Sequence, residues 1–219
     1  MTSQIRLLYL CAICACAVGA FGCASLIFGS ARDPSKFYIL TPASDGSVSA
    51  ATQASSGGET IGLGPVKLPA YLDRPEVVTR AATNRLELSK NDRWGESLEK
   101  NFTRVLARDL AADLGTQQIV AFPWYATTIL DLQVQVEVYR FETDAKGDAQ
   151  LSAKWTIRNG DGSKILYSAE SNLSQPSKAN DPTEAAAALS RVTADLSREI
   201  ANMLQQVRSR QSQTPGHSS

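Results

Sequence analysis

Between Leu130 and Val138 the chain alternates strictly, with Leu130, Leu132, Val134, Val136 and Val138 set against Asp131, Gln133, Gln135 and Glu137. A period of two predicts a strand with one dry face and one wet face. Leu151, Ala153, Trp155 and Ile157 repeat the pattern after a turn at Lys146-Gly147-Asp148. Asn159-Gly160-Asp161-Gly162 then marks a second hairpin turn before Ile165 to Ala169. Upstream, Lys36 to Thr41 reads as a short strand stopped by Pro42. Thr60 to Leu68 reads as another, thinned by Gly62 and Gly64, with Pro65 implying an edge or a bulge. Val77-Val78-Thr79 and Arg85 to Leu88 are predicted to pair as a hairpin across Ala81 to Asn84.

Two stretches switch to the helical period. Trp94, Leu98, Phe102, Val105, Leu106, Leu110 and Leu114 fall three and four apart with charges between them. Asn91 or Asp92 is placed to cap this helix, and Gly115 to end it in a left-handed conformation. The last element opens at Asp181-Pro182-Thr183-Glu184, with Asp181 as cap, Pro182 pre-set for the first turn and Glu184 able to reach back. Its apolar stripe is Leu189, Val192, Leu196, Ile200, Met203, Leu204 and Val207. Strands wet on one face plus two amphipathic helices predict an α+β two-layer sandwich: a mixed or antiparallel sheet with both helices on its dry face. Trp94 and Phe102 are expected to be core residues.

The N-terminus has a third pattern. Arg6 precedes a nearly unbroken apolar run from Leu7 to Phe21, and Gly22-Cys23 follows. Charged start, apolar core and small residue at the cut are the layout of a secretory signal. A cysteine directly after the small residue resembles the lipobox of bacterial lipoproteins, whose thiol is acylated after cleavage. Ala20 and Phe21 depart from the usual lipobox. The competing reading is an uncleaved anchor, since the uncharged run up to Arg32 reaches the roughly 20 residues that span a bilayer. Gly19, Gly22 and the placement of Cys23 favour the lipoprotein. The organisation that follows is a signal peptide (1–22), a lipidated tether (23–35), a single α+β domain (36–207) and a disordered tail (208–219). Residues 43–59, rich in Ser, Ala and Gly, read as a long loop between strands.

Composition then narrows the function. Without Arg6 the mature chain has one basic side chain fewer than the full chain's 22, against 22 acidic ones, and such a balance offers no electrostatic footprint for nucleic acid. Loss of Cys11, Cys14 and Cys16 with the signal leaves Cys23 alone, so no disulfide can form within the chain. The single histidine, His217, lies in the tail, outside any His-based catalytic or metal site in the domain. Gly62-Leu63-Gly64-Pro65 lacks the third glycine, the lysine and the following helix of a phosphate loop. Asp131 and Glu137 read as solvated carboxylates of a sheet face. No enzyme, metal or cofactor is expected beyond a covalent lipid on Cys23.

Three segments carry more specific information. They are Phe37-Tyr38-Ile39-Leu40-Thr41-Pro42, the run Ile61 to Pro75 with its Leu68-Pro69-Ala70-Tyr71-Leu72-Asp73-Arg74-Pro75, and Asp92-Arg93-Trp94-Gly95-Glu96. In this order they resemble the ABC-type transport auxiliary lipoproteins, over nearly the whole mature chain. The resemblance implies a non-enzymatic lipoprotein on the periplasmic side of the outer membrane of a diderm bacterium. There it would dock an MCE-type tube protein whose base sits on an inner-membrane ABC transporter, assist movement of phospholipid or other hydrophobic cargo, and leave room for a homo-oligomer. The alternative is a lipoprotein that holds a small hydrophobic ligand itself, in a cleft between helix and sheet. For partner contact the candidates are Tyr71 and Leu72, on a loop that reads equally as a stiff turn or as a rigid lip. Trp124 and Tyr125, in Phe122-Pro123-Trp124-Tyr125, read equally as a core plug or as an interface anchor.

Overall fold

A computed structural model describes residues 34–43 and 59–212. The signal, Cys23, most of the tether, the loop 44–58 and His217 lie outside the described residues. The elements are β1 (Lys36–Tyr38), β2 (Ile61–Lys67), a 3-10 turn (Ala70–Leu72), β3 (Glu76–Ala82), β4 (Arg85–Trp94), α1 (Leu98–Leu114), β5 (Ile119–Ala121), β6 (Leu132–Asp144), β7 (Ala149–Asn159), β8 (Ile165–Gln175) and α2 (Pro182–Ser212).

β6 organises the single mixed sheet. Along one edge it pairs antiparallel with β7, which pairs antiparallel with β8. Its other edge is shared. β2 lies parallel to the stretch Leu132–Glu137, and β3 lies parallel at Thr143 and Asp144. β5 adds parallel to β2, β4 antiparallel to β3, and β1 parallel to β4. Both helices cover one face, as the alternation predicts, and the architecture is an α+β sandwich.

A bulge in β6 between Val138 and Arg140 shifts the pleat by one residue. Before it Leu132, Val134, Val136 and Val138 face the helices; after it Phe141 does, its ring 5.0 Å from that of Phe102 in an edge-to-face contact. Phe102, Leu106 and Leu110 of α1 and Leu196, Ile200 and Leu204 of α2 are all fully buried. α2 adds Ala185, Ala186, Ala188, Ala194 and Ala201 to its buried face, and these small side chains let it approach the sheet and α1 together.

Several elements differ from the sequence reading for identifiable reasons. β1 stops at Tyr38, and residues 39–43 leave the sheet to cross the helices, where polar side chains take over the backbone bonding. Asn101 Oδ1 accepts the Leu40 N–H at 2.6 Å and its Nδ2 donates to the Leu40 carbonyl, Ser190 Oγ accepts Thr41 N–H, and Asp109 Oδ1 accepts Ala43 N–H. Burial raises the Asp109 carboxyl to about 6, partly offset by that N–H. Trp94 is buried as expected but ends β4 instead of opening α1, because its N–H donates to the Pro75 carbonyl and Gly95 N–H to the Tyr38 carbonyl. Asn91 and Asp92 therefore do not cap α1; Asp92 accepts from Tyr38 Oη and Ser89 Oγ. Pro65 lies in a bulge between Leu63 and Val66 on the β6 side, past the last residue that pairs with β5, Leu63. β5 went unpredicted, being three residues long. α2 runs on to Ser212, into the stretch expected to be disordered. There Ser209 and Ser212 hydroxyls donate to carbonyls one turn back, and Arg208 pairs with Glu59. Gly115 is left-handed with φ 63°, and Asp181 Oδ1 accepts the N–H groups of Thr183 and Glu184, both as the sequence predicts.

Candidate functional site

Two loops carry the sequence candidates, which divide between them. The first joins β2 to β3. Leu72 is 2% exposed and belongs to the core, so its side chain is not presented to a partner; the expectation that this loop displays Leu72 is corrected by its burial. Tyr71 is half-buried, and its hydroxyl donates to Glu142 Oε2 at 2.8 Å. Glu142 follows Phe141 and so points to the opposite face, yet its side chain is fully covered. Its Oε1 accepts Arg80 Nε at 2.6 Å and Arg140 Nε at 3.0 Å, and its Oε2 also accepts the Phe141 N–H at 3.1 Å. The Arg80 guanidinium sits 5.7 Å from the Tyr71 ring centroid and reaches the phenol oxygen through Nη2.

Burial, then the neighbouring Glu142, pushes the Tyr71 phenol up to about 12. The bond to Glu142 raises Arg80 further, so its charge is permanent. A buried carboxylate with every lone pair engaged costs little; with one partner removed it becomes a strong penalty. Tyr71 thus locks the loop to the sheet. Sequence reasoning missed Arg80, Arg140 and Glu142, because the bulge that turns Glu142 outward beneath the loop leaves no periodic trace.

The second loop joins β5 to β6. Both strands run parallel to β2 on its two sides, so the connection must travel back across it. Phe122 N–H donates to the Leu63 carbonyl at the start of the crossing and Asp131 N–H to the Thr60 carbonyl at its end, while Asp131 Oδ2 accepts the Thr60 N–H at 2.7 Å. Beneath the crossing, β2 presents Gly62 and Gly64. A Cβ on Gly62 would lie 2.6 Å from Leu130 Cδ1 and 3.0 Å from the Trp124 ring; one on Gly64, at φ +130°, would lie 2.5 Å from Phe122 Cβ. Two glycines alternating on one strand face are a signal of such close approach that the sequence itself carries.

Trp124 is half-buried in this cradle and stacks edge-to-face on Phe122 at 5.2 Å. Beyond it the loop turns outward, with Thr128 N–H donating to the Tyr125 carbonyl. Tyr125 is 84% exposed, Ile129 85% and Phe122 50%. The loop is therefore seated at Trp124 and exposed beyond it. Trp124 seats it, Tyr125 stands out to solvent, and Phe122 and Ile129, which the sequence reading did not single out, are exposed apolar side chains of the same loop. Among the described residues no group of His, Cys, Asp and Glu is arranged to hold a metal, and no helix is long and apolar enough to cross a membrane.

A family model described as the ABC-type transport auxiliary lipoprotein component matches residues 38–201. Protein XCC0632 from Xanthomonas campestris, of the DUF330 family, is similar in structure with TM-score 0.61 at 17% identity, covering 82% of this chain and 100% of its own. A second solved structure, of an uncharacterized protein, gives TM-score 0.63 at 16% identity, covering 78% and 98% respectively. At such identities the likeness is one of fold. No curated protein matches the sequence.

Proposed function

The chain belongs to the ABC-type transport auxiliary lipoprotein family, and from that premise we propose that it docks an MCE-type tube protein of an ABC transport system and assists passage of hydrophobic cargo between membranes. In this reading Cys23 carries the lipid, the tether holds the domain to the periplasmic side of the outer membrane, and no chemistry is catalysed. The observation that carries docking is the Phe122–Ile129 platform, whose ends are fixed to β2 while its apolar tip stays exposed. A pre-ordered loop loses little entropy on binding, so Tyr125 and Ile129 can act as anchors. The alternative, a hydrophobic ligand held between helices and sheet, is less well supported, since Phe102, Leu106, Leu110, Leu196, Ile200 and Leu204 fill that interface at 0% exposure.

The test is co-purification from detergent-solubilised envelopes. A variant combining Tyr125→Ser and Ile129→Ser should keep the wild-type melting temperature and lose most of the tube protein recovered with it. A folded double variant that recovers the tube protein in full would place docking elsewhere.

A further inference from the structure

At the far end of the Glu142 cluster, the β3–β4 and β6–β7 turns enclose a surface groove of about 450 Å³. Arg80, Arg140 and Lys146 bring positive charge to it, and Ala81, Ala82 and Ala145 line it with small side chains. The two guanidiniums share the one buried carboxylate of Glu142, so a positive charge is left over, held rigidly against the sheet. Arg80 is fully committed, through Nε to Glu142, Nη1 to the Thr83 carbonyl and Nη2 to Tyr71. Arg140 gives only its Nε to Glu142; among the described residues nothing takes up its two terminal nitrogens. Lys146 is fixed through its main chain, its N–H donating to Asp144 Oδ1, which leaves the ammonium uncommitted. Asp144 also lines the groove and its charge offsets one of the three cations, so with Glu142 counted one net positive charge remains; its oxygens are turned to Lys146 N–H and Asp148 N–H at Oδ1 and to Gln150 Nε2 at 3.4 Å from Oδ2.

We propose that this groove binds a phosphate ester, taken between the terminal nitrogens of Arg140 and the ammonium of Lys146. A guanidinium edge presents two parallel donors that match two oxygens of a tetrahedral anion, and a lysine adds a mobile point charge. The guanidinium is already oriented by Glu142, so little side-chain entropy is lost on binding. The three alanines leave room for whatever group the phosphate carries. The site rests on its own geometry and stands whether or not the docking reading does. A lipid headgroup and a soluble phosphate ester share this chemistry.

The experiment titrates the full-length mature lipoprotein, in neutral detergent at low salt, with glycerol 3-phosphate and separately with mixed micelles containing phosphatidylglycerol or phosphatidylcholine. Saturable binding of glycerol 3-phosphate is expected, about tenfold weaker in Arg140→Gln, for the loss of a charge-assisted bond. It should also weaken in Lys146→Gln and with added salt. Lys146→Gln removes no bond of the fold, so its melting temperature checks that lost binding is not unfolding. Tighter binding of phosphatidylglycerol micelles, with no response to phosphatidylcholine, would identify a headgroup as the source; equal or weaker response to the lipid would identify a soluble ester. Either supports the site. Binding of neither probe, or binding unchanged in both variants, overturns it, as does tighter capture of an acidic peptide than of either phosphate probe.

Discussion

Leu68–Pro75 and Phe122–Leu130 look alike as sequence, each setting an aromatic residue close to proline between two strands. The structure gives them opposite tasks. In the first, the aromatic hydroxyl reaches inward to a buried carboxylate and the neighbouring leucine enters the core. In the second, two β2 glycines accept Trp124 and Phe122, and the chain beyond them turns Tyr125 and Ile129 out to solvent. What separates them is the surface beneath. Glu142, turned by the β6 bulge to the face opposite Phe141 and buried there, must be satisfied, and Tyr71 satisfies it; the bare glycine stripe offers only a seat. An aromatic in a proline-flanked loop is thus uninformative until its neighbour across the sheet is known.

The comparison makes graded predictions. Leu72→Ala should cost the most, about 3 kcal/mol by urea denaturation, because it opens a cavity in a filled core. A cost as small as that of Tyr125→Ser would show that the first loop is not anchored there. Gly64→Ala should follow at about 2 kcal/mol, from a strained backbone at φ +130° and a clash with Phe122. Its fluorescence should report a displaced Trp124; an unmoved tryptophan would argue against the cradle.

Tyr71→Phe should cost about 1–2 kcal/mol by leaving a charged acceptor one donor short. It also has a signature in pH. The Tyr71 phenol rises from 10.0 to about 12 on folding, so between those values the folded chain holds more protons than the unfolded one. Its contribution is complete below pH 10 and is lost as pH rises through 12. Tyrosinate absorbance should show one phenol ionising late in the wild type and none so late in Tyr71→Phe. Least of all, Tyr125→Ser with Ile129→Ser should change stability by under about 0.5 kcal/mol while weakening partner recovery.

Some of this was fixed by local sequence alone. The alternations from Leu130 and from Leu151, the helical stripes from Leu98 and from Leu189, the cap at Asp181 and the left-handed Gly115 depend on period and on near neighbours, so they survive any arrangement of the rest. They suffice for two helices over one face of a sheet, and with the motif run from Phe37 to Trp94 they suffice for the family. The setting of the two loops was decided elsewhere. The pairing of Tyr71 with Glu142 spans 71 residues. Whether Trp124 is seated or free depends on which strand passes beneath it. Such contacts form only when β2 and β3 share one edge of β6 in a particular register. Register is set by bulges and by the summed packing of the sheet, and no single segment encodes it.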